Sequence, residues 1–118
     1  MPSGARKRTT SVAANATSAN VLSGEVIEFP GVPSSVIVAA TVLAASAGVV
    51  LLNLQLGSDR PVDGLAISGE AVPGRGPLMP DDVMVKEVAG ASDRVALTFT
   101  NTSGGAVVVT WYVEVQPI

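Results

Sequence analysis

The chain has 118 residues, room for one domain and one core. Only 14% of them are charged, against roughly 25% in an average globular protein, while apolar types reach 47%, so groups suited to face water are scarce on so small a domain. Neither Cys nor His occurs, which excludes thiolate nucleophiles, Cys or His zinc sites, imidazole bases, Ser-His-Asp triads and disulfides; no catalytic, cofactor or metal residue is assigned, and an enzyme is the last of the readings.

At the N-terminus, residues 1 to 20 carry Ala, Ser, Thr, Asn and Gly with almost no large side chains. That composition predicts an extended arm unable to build a core. Arg6, Lys7 and Arg8 place three positive charges in the first eight residues, leaving four bases against ten acids in the remainder. A basic arm therefore precedes an acidic body. Three bases can neutralise about three phosphates, a weak contact to nucleic acid for one copy that many copies would multiply. The other partner open to Arg6, Lys7 and Arg8 is the acidic body of a neighbouring subunit. Thr9 to Ser23 is too polar to form the apolar core of a secretory signal.

From residue 21 onward, short apolar runs punctuated by Gly, Pro, Ser and Asp predict a single all-β domain over 21–118, with about seven strands near 24–29, 35–44, 48–56, 64–68, 82–88, 93–101 and 106–116. Residues 29 to 58 hold no ionisable side chain. Within them the 35–44 and 48–56 strands are apolar on both parities, the pattern of strands covered on two sides. One side is the core. For the other, the expectation is a subunit neighbour, an arm or a long loop, and Val36, Val38, Val42, Val50 and Leu52 are the candidate subunit-packing residues of a 36–56 hairpin. A single membrane span over 36–56 has the necessary length, but Asn53, Gln55, the Ser46-Ala47-Gly48 turn and the β-branched residues weigh against it.

Residues 57 to 80, with Pro61, Pro73, Pro77 and Pro80, read as one long loop; loops above about 12–15 residues are usually functional or structured by contact. Asp59, Asp63, Glu70, Asp81 and Asp82 lie in or beside it and match no calcium-loop spacing, so they are read as keeping the loop hydrated. Further on, Val95, Leu97 and Phe99 alternate with polar neighbours, as do Val107, Val109, Trp111, Val113 and Val115. With the turn formers Asn101 to Gly105 between them, these two strands predict a β-hairpin. Parity puts Phe99 and Trp111 in the core and leaves Tyr112 as the one candidate stacking ring. Asn15-Ala16-Thr17 and Asn101-Thr102-Ser103 match the glycosylation acceptor pattern and are read as chance.

A basic, low-complexity arm followed by a charge-poor, cysteine-free β-sandwich resembles the layout of small single-domain virion proteins: coat, penton or capsid-decorating subunits of phages and simple viruses. The resemblance is architectural and implies a jelly-roll-like antiparallel sandwich that self-assembles or associates with other capsid proteins. It implies location in the virion, assembly in the host cytoplasm, no small-molecule substrate and an arm lacing onto neighbours. The alternative from another class is a ligand-binding or adhesive β-sandwich module that uses the 57–80 loop.

Overall fold

The computed structural model describes residues 4–24, 28, 30–42, 46, 48–67, 69 and 83–118. Seven strands follow one another: β1 (Gly4–Val12), β2 (Ser34–Thr41), β3 (Val50–Leu56), β4 (Asp59–Ala66), β5 (Val83–Ala89), β6 (Val95–Asn101) and β7 (Val107–Pro117). They form two antiparallel sheets, ordered β1-β7-β2-β5 and β4-β3-β6. The expected all-β sandwich is therefore the fold, with no α-helix among the described residues. Of the expected 24–29 strand, residues 25–27 and 29 lie outside the described residues.

Period-two alternation builds the core. Val36, Val38, Ala40 and Val42 face inward from one sheet with Val107, Val109, Trp111, Val113 and Val115; Val50, Leu52, Leu54 and Leu56 meet them from the other with Val95, Leu97 and Phe99. Each fully buried Val or Leu contributes about 1.5–3 kcal/mol relative to exposure. Trp111, the largest buried side chain, satisfies its indole by donating to Thr10 Oγ1 at 3.0 Å.

Two expected hairpins are corrected. β2 pairs with β5 and β7 while β3 pairs with β4 and β6, so the 36–56 run crosses from sheet to sheet. The same holds for β6 and β7, which lie in opposite sheets. In both cases the two strands turn their apolar faces toward each other through the core instead of lying side by side. Alternation is identical in the two arrangements, and only the loop decides. The 102–106 loop is tied for the crossing: Thr102 donates its N–H and Oγ1 to Val49 O, at 2.9 and 2.7 Å, at the entry to β3. Buried Asn101 donates to Val12 O and Gly105 O and accepts from Ser103.

The tight hairpin is instead β3–β4, joined by Gly57-Ser58, with Gly57 at φ 62°. A glycine at the first central position fits a two-residue hairpin turn. Residues 59–63, expected only as loop, are thus strand, continuous with the expected 64–68 strand as far as Ala66.

Residues expected as a free arm belong to the sandwich. β1 pairs with β7 along its whole length, Gly4 opposite Val115 to Val12 opposite Val107. The chain then crosses to the other sheet, where Asn15 to Val21 runs antiparallel along β6, with a bridge between Thr17 and Thr100. When that segment is counted as a strand, eight segments pair first with eighth, second with seventh, third with sixth and fourth with fifth. This is jelly-roll winding.

Candidate functional site

The segment along β6 is held by side chains that take the place of backbone. Asn101 N donates to Ala16 O, but the next two outward amides find side-chain acceptors: Phe99 N donates to Ser18 Oγ at 3.0 Å and Leu97 N to Asn20 Oδ1 at 2.9 Å. In return, Ser18 N and Val21 N donate to Phe99 O and Leu97 O. Ser and Asn are suited to such substitution because their short polar side chains mimic a peptide group. Leu22, fully buried, then closes that end of the core.

Asn20 also joins a half-buried polar knot. Its Oδ1 accepts from Leu22 N, and its Nδ2 donates to Glu28 Oε2 at 3.0 Å. Glu28, 4% exposed, further accepts from Gly24 N on Oε1 and from the Arg94 guanidinium at 2.6 Å on Oε2. Burial by itself would raise the Glu28 carboxyl. The Arg94 hydrogen bond, the Gly24 N–H, the Arg94 charge and the Asn20 amide outweigh it and hold the group below the ordinary glutamate value. The knot fastens the N-terminal segment to the start of β6. Sequence pattern gave no hint of it, because Glu28 meets Arg94, and Asn20 meets Leu97, from across more than sixty residues.

Arg6, Lys7 and Arg8 lie on β1, opposite Val113, Tyr112 and Trp111. Strand alternation therefore separates the last two: Lys7 takes the parity of Tyr112 on the outer face, and Arg8 that of core-facing Trp111. Lys7 and Arg8 are exposed. The structure makes of the triplet an edge strand carrying consecutive charges, a device that discourages edge-to-edge aggregation.

The five expected subunit-packing residues are corrected outright. Val36, Val38, Val50 and Leu52 are 0% exposed and Val42 is 2% exposed. All five sit in the chain's own core, where they pack one sheet on the other and present nothing to a neighbour. The two-sided covering expected for the run holds for part of β2, where outward-parity Ala39 and Thr41 are also buried. A helical span over 36–56 is ruled out by the strands found there, and no helix among the described residues is long and apolar enough to cross a membrane.

The outer face of the β1-β7-β2-β5 sheet is built in rows. Glu114, Ile37 and Lys86 form one; Lys7, Tyr112 and Ala39 the next; Thr9, Thr110 and Thr41 a third. Tyr112 donates to Glu114 Oε2 at 2.9 Å, and Gln116 donates to Glu114 Oε1. Burial, then the Glu114 hydrogen bond and charge, push the Tyr112 hydroxyl above its ordinary value. Held half-buried along the sheet in this way, Tyr112 is part of a surface rather than a standing ring. Val88 and Val108, 60% and 53% exposed, lie on the same face.

On the opposite sheet, Asn53 ties three strands: its Nδ2 donates to Thr98 and Thr100 hydroxyls, and its Oδ1 accepts from Gly64 N. Asp59 and Asp63 fall on exposed β4, where Arg60 pairs with Asp63 at 3.6 Å. Glu70, Asp81 and Asp82, with most of the expected 57–80 loop, lie outside the described residues. Among the described residues, no three Asp or Glu carboxylates come together as a metal site. Asn101 of the second glycosylation pattern is 1% exposed and fully engaged. The chain matches no protein-family model, no curated protein and no solved structure.

Proposed function

We propose that the chain is a non-enzymatic structural subunit of a virion: a coat, penton or capsid-decorating jelly roll that works by packing against copies of itself or other shell proteins. The observation that carries this reading is the winding, in which all eight segments pair in jelly-roll order. Capsid subunits, lectins and cupins share that winding, and fold alone does not assign function. Composition favours the first. The chain has no His for a cupin-type metal centre and only four aromatics, of which Phe99 and Trp111 are buried and Tyr112 is engaged with Glu114.

The N-terminal segment supports the same reading in a different way from a loose arm. It straps the two sheets together, so a subunit enters assembly already closed. Light scattering on the purified chain at low and high salt, with circular dichroism, tests the proposal. Symmetric multimers with a β-rich spectrum are expected. A β-rich monomer at every concentration would overturn it in favour of a binding module built on the connection that follows β4.

A further inference from the structure

A backbone amide can attack the side-chain carboxyl of the Asp before it, and the step is easiest where the amide belongs to Gly, because no Cβ hinders the nitrogen. Asp63-Gly64 is the one place in the 118 residues where Asp or Asn precedes Gly. It lies on the outer strand β4, at a break in the ladder. Asn53 stands opposite Asp63 and Leu52 opposite Leu65, so Gly64 is the extra residue of a β-bulge. Its φ of 85° favours glycine. The Gly64 N–H donates to a side chain, Asn53 Oδ1, at 2.9 Å. Asp63 has a side chain 71% exposed that pairs with Arg60 at 3.6 Å, a surface contact that restrains it little.

We propose that Asp63-Gly64 is a site of backbone isomerisation, and that Asn53 sets its rate by holding the Gly64 N–H. In the first step Gly64 N bonds to Asp63 Cγ while the amide proton and the carboxyl hydroxyl leave together as water, closing a five-membered imide. Water then opens the ring at one of its two carbonyls. Cleavage of the Cγ–N bond returns aspartate, whereas cleavage between N and the main-chain carbonyl carbon of Asp63 routes the chain through Cγ and leaves an isoaspartyl residue. Nothing is oxidised or reduced, and water is the only co-reactant. Ring closure turns the Asp63-Gly64 peptide plane, so the bond to Asn53 must break first. Asn53 is 8% exposed and anchored through Nδ2 on the Thr98 and Thr100 hydroxyls of β6, at 3.3 and 3.1 Å, so it does not follow the exposed strand outward. The product carries one extra backbone carbon in β4, a second irregularity in a β3–β4 ladder that already shifts register there.

The test is to age the full chain in warm neutral buffer, digest it, and locate isoaspartate at Asp63 by mass spectrometry. It should accumulate readily in urea above the unfolding midpoint and slowly in the native chain. Asn53→Ala, which frees the Gly64 N–H, should raise the native rate on the order of tenfold, the scale of one lost hydrogen bond. Thr98→Val removes one Nδ2 contact, leaves the Gly64 bond in place, and should age like the parent. No isoaspartate at Asp63 in urea would overturn the site. Equal rates in the native and unfolded chain, or equal acceleration in the two variants, would overturn the role of Asn53. If Asn53→Ala does not fold, hydrogen exchange at Gly64 N in the parent chain decides instead: protection is expected, and exchange at the open-chain rate would show that Asn53 does not hold it.

Discussion

Two regions hold this sandwich by opposite means. Between residues 29 and 58 there is no charge, and the strands it contributes, β2 and β3, supply the centre of both sheets and bury Val36, Val38, Val50, Leu52 and Leu54 completely. The N-terminal segment from Gly4 to Gly24 buries only Val12 and Leu22 among its large apolar side chains, yet it binds the margins of both sheets through hydrogen bonds to β7 and β6. One region is fixed by the apolar area it removes from water, the other by donors and acceptors it satisfies. A polar segment can therefore be as much part of a β fold as an apolar one, provided there is a strand edge for it to complete.

Substitutions separate the two modes. Leu52→Lys has the largest expected effect: a buried ammonium without a partner costs several kcal/mol, a large share of the roughly 5–15 kcal/mol that stabilises a domain. That variant should fail to fold, with loss of the β spectrum. Had Leu52 faced a neighbour, the monomer would keep its spectrum and lose only association. In the polar region, Asn20→Ala strips acceptors from Leu97 and Leu22 amides and a donor from Glu28, so a loss of about 2–3 kcal/mol is expected in urea unfolding. Ser18→Ala, which removes one acceptor, should lose about 1 kcal/mol.

Acid tests the knot at Glu28. Because its folded pKa lies below the ordinary value of 4.5, its contribution is complete above that value and is lost as pH falls through the lower folded one. Stability should be level in this respect from neutral pH down to about 5 and fall below about 4.5. In Arg94→Ala the acid-side fall should be shallower, since the guanidinium is the main group lowering the pKa. The smallest effect belongs to Lys7→Ala, an exposed position, where a change within about 0.5 kcal/mol is expected and any larger consequence should appear in assembly and its salt dependence.

Much of the architecture was legible. Alternation at Val95, Leu97, Phe99 and at Val107 to Val115 places these strands and their buried faces correctly, since a half-buried strand writes its period into the chain. Pairing was not legible, because the same alternation serves a hairpin within one sheet and a crossing between two. β4 was hidden for a different reason: Asp-Arg-Pro-Val-Asp-Gly-Leu-Ala is almost wholly exposed and has no apolar period, although the Gly57-Ser58 turn before it is a recognised hairpin signal. β1 and the segment along β6 were hidden most deeply. Their partners, β7 and β6, lie about 80 to 110 residues away, and no local pattern records a bond between Asn20 and Leu97.

For the same reason, the candidate site was read partly in reverse. Val36, Val38, Val42, Val50 and Leu52 drew attention by being apolar on strands apolar on both faces, and the structure uses them as core. Arg6, Lys7 and Arg8 form a cluster in the sequence, and the strand sets Lys7 and Arg8 on opposite faces.

The central claim, that the N-terminal segment is part of the folded sandwich, is tested most directly by native-state hydrogen exchange at three amides of β6. Leu97, Phe99 and Asn101 donate to Asn20 Oδ1, Ser18 Oγ and Ala16 O, all in that segment. If the segment is integral, these amides exchange as slowly as those of central β3 and β7, through global unfolding. Exchange near the rate of an open chain at all three, with β3 and β7 still protected, would show the segment leaving the sheet as an arm and would contradict the account.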